Sequence, residues 1–398
     1  MITCGTEAAR ETGLPGRARH SDFLFAFLPL LALFTGLTAV APAADDSNDV
    51  PQALLAKVKT GVNITRWFCY LSNPKDTRHY ANYMVDDDFA NFRRLQLGFV
   101  RLCVSPEAIY DNGAPNATNL SFLDRALDRL EQAGLVVILD LHDNGQMKLD
   151  QPGHDNAGFV SFWRALARHY RGKHLLSVVF ELVNEPVFKQ NPDAWYQLQA
   201  QTIKAVRAED PARTVMASGV GWGGIDGLVK LPLLAERNII YSYHCYDPFL
   251  FTHQGATWTG DMQRALHDIP FPSSPEAVAA MIARIPAQYQ KDVRWYGEQR
   301  YGEDYLRSRI KLGVDWAARN HVPAVLGEFG AFPAVSPPGS RAHWFDAMRK
   351  VLGELKAPHC VWGYDDVFGL GRARLPNGRV QLDPVTMHHL YGLGSQGK

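Results

Sequence analysis

Glu185 and Glu328 each stand at the end of a short apolar run, and 143 positions separate them. The first lies in Val183-Asn184-Glu185-Pro186, the second in Gly327-Glu328-Phe329-Gly330. A carboxylate placed there costs stability unless it is paired, so repeated placements of this kind mark a site. Cleavage of a glycosidic bond needs two carboxyl groups in different states. One keeps a proton for the leaving oxygen, and the other is ionised and acts at the anomeric carbon or on water. Other polar and aromatic residues end further apolar runs and suit that chemistry. Arg101 beside Glu328 would hold it ionised. Tyr246 can donate to the same carboxylate. Asn184 suits a sugar 2-hydroxyl, a contact that strengthens in the transition state. His142 and His244 suit sugar hydroxyls or the acid partner. Trp362 offers a flat apolar face for the C–H side of a pyranose.

Something must bring these residues to one place. Apolar runs suited to strands cover Thr60–Ile64, Phe99–Val104, Leu135–Leu141, Ser177–Val183, Thr214–Ser218, Ile239–His244, Ala324–Phe329 and Cys360–Tyr364. Several are nearly continuous in Val, Ile and Leu, as strands covered on both faces are. Between them lie helical patterns. Leu123, Leu127 and Leu130 form a stripe within Leu120–Ala133, and Gly134 follows as a helix-ending glycine. Phe159–Tyr170 and Trp195–Ala208 read the same way. Strand–helix alternation repeated eight times predicts a single-domain (β/α)₈ TIM barrel, whose site lies where the strands end. No Gly-rich dinucleotide turn follows the first run, which argues against an open doubly wound sheet. Trp163, Trp195, Trp316 and Trp344 fall in helical stretches and are expected in the core. Asp140 is expected to be a structural partner within the barrel. The interval from Asp247 to Arg319 is about twice the length a helix and its loops need. It is expected to supply part of the active-site wall, with Trp258 as a substrate contact and His253 solvated.

The ordered set resembles glycoside hydrolase family 5, the cellulase family A of the retaining (β/α)₈ clan. Arg101, His142, Asn184-Glu185-Pro186, His244 with Tyr246, Glu328 and Trp362 fall in the family's order at the ends of the second, third, fourth, sixth, seventh and eighth strands. Gly61-Val62-Asn63 and Arg66-Trp67 resemble its opening, which makes Trp67 a candidate sugar platform. The likeness runs over about residues 57–395. It implies a retaining β-glycoside hydrolase with Glu185 as acid/base and Glu328 as nucleophile, working by double displacement without metal or organic cofactor. An endo-β-1,4-glucanase is the leading expectation. A β-mannanase, a mixed-linkage glucanase and a transglycosylase would share the same glutamates. A non-catalytic glycan-binding barrel is the reading from another class, and the presence of both carboxylates weighs against it.

Composition agrees with this and excludes other classes. Lys+Arg and Asp+Glu are both 41, so no basic face speaks for nucleic acid, and a β-linked polysaccharide or oligosaccharide is the expected partner. Arg10, Arg17 and Arg19 precede an apolar run from Phe23 to Val40, which exits through Ala41-Pro42-Ala43-Ala44. That is the layout of a secretory signal over residues 1–44, with a retained anchor as the alternative; the catalytic domain then covers 45–398. A secreted or periplasmic monomer, off the membrane once the signal is removed, is expected. Export permits disulfides among Cys69, Cys103, Cys245 and Cys360, but a chain this long has core enough without them, and free buried thiols are favoured. There is no CxxC and no Cys/His cluster with zinc spacing.

Overall fold

The structure is a computed structural model and describes residues 49–111 and 113–394. The proposed signal, residues 1–44, lies outside the described residues. Eight strands close into a barrel: β1 (Thr60–Phe68), β2 (Phe99–Val104), β3 (Val136–Leu141), β4 (Val178–Glu181), β5 (Val215–Ser218), β6 (Ile239–His244), β7 (Ala324–Glu328) and β8 (His359–Val361). Each pairs in parallel with its neighbours in sequence, and β8 closes on β1 through Thr60–His359 and Val62–Val361. All eight expected strands are present. The first strand runs on to Phe68 and the eighth stops at Val361, while at the fourth the chain leaves the ladder after Glu181, so Asn184 and Glu185 stand beyond the strand on a turn.

Alternation along the strands divides the barrel into an inner and an outer apolar core and a polar layer, with a small third cluster of Cys69, Cys103, Trp362 and Phe368. One set of side chains (Phe99, Val136, Ile138, Val179, Met216, Ile240, Val325 and Cys360) packs inside the barrel, where Val50, Leu54 and Val58 plug it from the N-terminal side. The intervening set, including Val100, Leu102, Val137 and Leu139, packs outward against the helices. A period of two fixes this division. The inward positions continue as Phe99 then Arg101 on β2, and as Ile138, Asp140 and His142 on and past β3. They continue as Val179 then Glu181 on β4, and as Ile240, Ser242 and His244 on β6. The inner face is therefore apolar at the strand starts and polar at their ends.

The helices take the expected places. Helix α1 (Ala117–Gln132) buries Leu123, Leu127 and Leu130, starts on an Asn116 cap and stops before Gly134, whose φ of +83° is left-handed. Helices α2 (Ala157–His169), α3 (Pro192–Glu209), α4 (Glu303–Arg319) and α5 (Pro338–Glu354) complete the part of the outer layer that matters here. Trp163, Trp195, Trp316 and Trp344 are buried between helices and barrel, as expected. The long interval after β6 resolves into short helical turns followed by α4. Among the described residues no helix is long and apolar enough to cross a membrane. Cys69, Cys103, Cys245 and Cys360 are free and buried, so the unpaired expectation holds.

Candidate active site

Arg101 is the hub of the polar layer. Its side chain is fully buried, and it sits among three carboxylates: Glu181 at 2.6 Å, Glu328 at 2.7 Å and Asp140 at 3.1 Å. Its Nε and Nη2 donate to the two oxygens of Glu181, a bidentate pair. Nη1 donates to Glu328 Oε1 and to Asn63 Oδ1, and Nη2 also donates to Asn184 Oδ1 at 2.9 Å. Asn63 Nδ2 in turn donates to the Gly327 carbonyl at 3.0 Å, next to Glu328. One guanidinium thus positions the side chains of Glu328 and Asn184 together.

Glu328 is held from both oxygens. Arg101 donates to Oε1, and the Tyr246 hydroxyl donates to Oε2 at 3.0 Å. Burial is the larger influence and moves this carboxyl upward, with Arg101 pulling against it. Two donors aimed at the carboxylate, one of them charged, favour its ionised form. The residue before it has to be glycine. A Cβ on Gly327 would lie 2.6 Å from Ser242 Oγ and 3.1 Å from His244 Nε2.

Glu185 has a different setting. It adopts a left-handed backbone, φ +48°, at the turn after β4, a conformation unusual for a non-glycine residue and found at constrained sites. Its partner is His244, whose Nδ1 lies 3.0 Å from Glu185 Oε1 and 3.5 Å from Glu328 Oε2. Burial pulls the His244 imidazole down to about 4, so at neutral pH it is a neutral partner. Among the described residues no lysine or arginine pairs with Glu185, and burial pushes its carboxyl up to about 7. With 28% of the side chain open, solvent moderates that push but does not reverse it. The acidic oxygens of Glu185 and Glu328 approach within 4.8 Å, with His244 against both.

His142 completes the layer. Its Nδ1 lies 2.9 Å from Asp140 Oδ2, so Asp140 is the structural partner that the sequence suggests, shared between Arg101 and His142. Burial opposes the charged imidazole, but the hydrogen bond and charge of Asp140 outweigh it and raise its pKa. Trp362 lies beside His142 with ring centres 5.5 Å apart, and 6% of it is accessible.

Eight of the ten sequence-predicted residues meet here: Glu185, Glu328, Arg101, His142, Asn184, His244, Tyr246 and Trp362. Trp258 stands apart, half exposed and edge-on to Phe332 and Phe368, and Phe368 packs on Tyr246. Trp67 is a correction. It is 2% exposed, donates its indole N–H to the Tyr80 carbonyl and stacks on Tyr83. The pairing of β1 with β2 shifts register between Ile64 and Phe68, and Trp67 belongs to the outer core. It therefore offers no face to a sugar. His253 is also unlike the expectation. It is buried, stacked on Phe249 at 4.0 Å and edge-on to Tyr246 at 5.0 Å. Sequence reading missed Glu181, although an acid inside an apolar strand is itself a signal that a cation waits nearby. It also missed Trp222, half exposed in a Gly-rich turn, whose backbone N–H donates to the Pro186 carbonyl next to Glu185.

Comparison with known proteins places the chain in a family. The family described as Cellulase (glycosyl hydrolase family 5) matches residues 56–366. Endoglucanase 3 of Fibrobacter succinogenes is 32% identical over 227 residues, 55% of this chain but only 33% of that protein, so the likeness covers a third of its length. Endoglucanase C of Acetivibrio thermocellus is 26% identical over 325 residues, 78% of this chain and 92% of that one. Among solved structures, a hyperthermophilic endo-β-1,4-glucanase with substrate shares the fold with a TM-score of 0.66 at 23% identity, covering 85% of this chain and 99% of that one.

Proposed function

The chain belongs to the cellulases of glycosyl hydrolase family 5 and is a glycoside hydrolase; on that premise we propose that it is an endo-β-1,4-glucanase acting by double displacement through Glu328 and Glu185. The observation that carries the stereochemistry is the approach of the two carboxylates to within 4.8 Å. Retaining enzymes hold their carboxyl groups ~5–5.5 Å apart, and inverting ones leave ~6.5–9.5 Å for a water. The nearest oxygens of the two carboxylates fall on the short side of that divide, which supports attack by the Glu328 carboxylate itself.

The steps follow from the charges. Glu328 is ionised between Arg101 and Tyr246 and attacks the anomeric carbon. Glu185 keeps its proton because burial opposes its charge, and it gives that proton to the leaving oxygen. The sugar is then an ester of Glu328. Glu185, now ionised, takes a proton from water, which displaces the ester and restores both carboxyls. Asn184 is fixed by Arg101, so its amide N–H₂ faces the sugar. Neutral His244 bonds Glu185 without competing for its proton.

The choice of a glucan rests on the relatives, which are named endoglucanases, and on exposed aromatics (Trp222 and Trp258) suited to several sugars in a row. The leader-like residues 1–44 support action outside the cytoplasm. The test is reducing-sugar release by the chain from residue 45, with Glu328→Gln as control, on carboxymethyl-cellulose, mixed-linkage glucan, galactomannan and xylan. Release from carboxymethyl-cellulose, lost by several orders of magnitude in the variant, is expected. Release from galactomannan alone would overturn the glucan reading.

A further inference from the structure

Tyr70 is the unexplained residue of this site. It follows β1 on a left-handed backbone, φ +51°, a conformation that a bulky side chain rarely adopts and that persists where the surroundings enforce it. It is 50% exposed, yet its hydroxyl lies 2.8 Å from Nε2 of the buried His142. Its ring stands edge-on to His142, with centres 5.4 Å apart. Burial and the nearby Glu328 and Asp366 carboxylates keep the phenol protonated. An exposed aromatic in a strained conformation, pinned by a residue of the catalytic layer, has no packing reason to be there.

The surroundings define where it stands. Glu185 protonates the leaving oxygen, so the departing sugar extends past Glu185, where Trp222 joins Pro186. The sugar that transfers to Glu328 lies on the other side, over Asn184, His142 and Trp362. Asn184 Nδ2 is 3.5 Å from His142 Nε2, and Trp362 lies beside His142. Tyr70 joins this row through His142, the residue that its hydroxyl and ring both meet.

Its hydrogen bonding leaves one position unspent. His142 Nδ1 faces Asp140, so only Nε2 meets the phenol. With a neutral imidazole the Tyr70 O–H donates to Nε2, and its oxygen still accepts. With a charged imidazole Nε2–H donates to the oxygen, and the phenol proton is free to donate. Either way the phenol can bond a sugar hydroxyl while its ring offers an apolar face.

Resting on the endoglucanase reading, we propose that Tyr70 is a specificity-determining residue, its phenol oriented by His142 to bind the β-glucan on the glycone side of the cleavage point. The contact is made before and during reaction alike, so its loss weakens binding without slowing the bound complex.

Tyr70→Phe keeps the ring and removes the hydroxyl. The substrates are 2,4-dinitrophenyl β-cellobioside, whose sugars fill only the glycone side, and carboxymethyl-cellulose. The expected result is kcat/KM lower by roughly fivefold to tenfold on both, carried by KM, with the thermal midpoint unchanged. Cellotriose binding to Glu328→Gln should weaken by a similar factor when Tyr70→Phe is added. Unchanged kcat/KM and binding would overturn the proposal, because the phenol would then serve His142 alone. A loss on the polymer but not the cellobioside would overturn it by placing Tyr70 on the leaving-group side. Equal losses in kcat and kcat/KM, with binding kept, would overturn it by making Tyr70 act through His142. An unmutated enzyme inert on both substrates would sink the functional reading and this inference with it.

Discussion

Replacing Glu185 by glutamine removes a proton site that the fold holds more tightly than the unfolded chain does. Burial moves this carboxyl from 4.5 to about 7. A group whose folded pKa is raised contributes its full stability below the unfolded value and loses it as pH climbs through the folded one. Ionising Glu185 therefore destabilises the protein between about pH 4.5 and 7. At about 1.4 kcal/mol for each pH unit, full burial would put the cost near 3 kcal/mol. Because 28% of the side chain meets solvent, a cost of about 1–2 kcal/mol is the working figure. The amide in Glu185→Gln does not ionise and carries no such cost. Urea unfolding of both proteins at pH 4.5, 5.5, 6.5 and 7.5 should show the variant gaining that amount on the wild type across the window. His244 titrates near 4, below the window, and is common to both proteins. On the proposed mechanism the same proton governs activity. Wild-type kcat/KM should fall above pH 7, and this limb should vanish in the variant on an activated aryl glycoside, the substrate that least needs the acid. A stability difference flat with pH, or one that moves against the variant as pH rises, would refute the desolvation argument for the acid.

Arg101→Met should cost about 3–5 kcal/mol at neutral pH and abolish turnover, because it strands Asp140, Glu181 and Glu328 without their cation. The stability loss should shrink toward pH 4 as those acids take up protons, and denaturation curves at the two pH values would reveal it. Trp258→Ala should raise KM about fivefold on carboxymethyl-cellulose and much less on an aryl cellobioside, since its exposed face suits a sugar away from the reacting centre. The four buried thiols should resist a thiol reagent until the protein unfolds, and dithiothreitol should leave the unfolding midpoint where it was.

The barrel and the meeting of Glu185 with Glu328 were legible because both leave periodic marks. Continuous apolar runs alternate with helical stripes, and the polar residue that ends each run falls on one rim once the strands are parallel. Arg101, Asp140 and His142 could be placed that way, on the inner faces of β2 and β3. Trp67 was misplaced because the register shift in β1 turns a site-like position toward the helices. A bulge of that kind leaves no mark in an isolated strand sequence. Tyr70 and Trp222 were missed for a related reason. Each sits on a turn with positive φ, where neither the strand period nor the helix period says which way a side chain points.

Glu181 was missed although its run is one of the clearest, and its role explains why the sequence hides it. Its neighbours in Ser177–Val183 are apolar, so the strand pattern absorbs it. Only the parallel pairing of β2, β3 and β4 in register brings Arg101 across β3 to within 2.6 Å of it. That pairing has a consequence for the nucleophile. Arg101 carries one positive charge against three buried carboxylates, and that imbalance cannot persist in a low-dielectric site. Burial pushes Glu181 toward its protonated form, and Asp140 draws a proton onto His142; both moves reduce the excess negative charge. Each proton gained there leaves more of the Arg101 charge for Glu328, the one carboxylate of the three that must be ionised to attack. The acid within the apolar strand thus acts through Arg101, its bidentate pair orienting the guanidinium whose Nη1 holds Glu328, the proposed nucleophile.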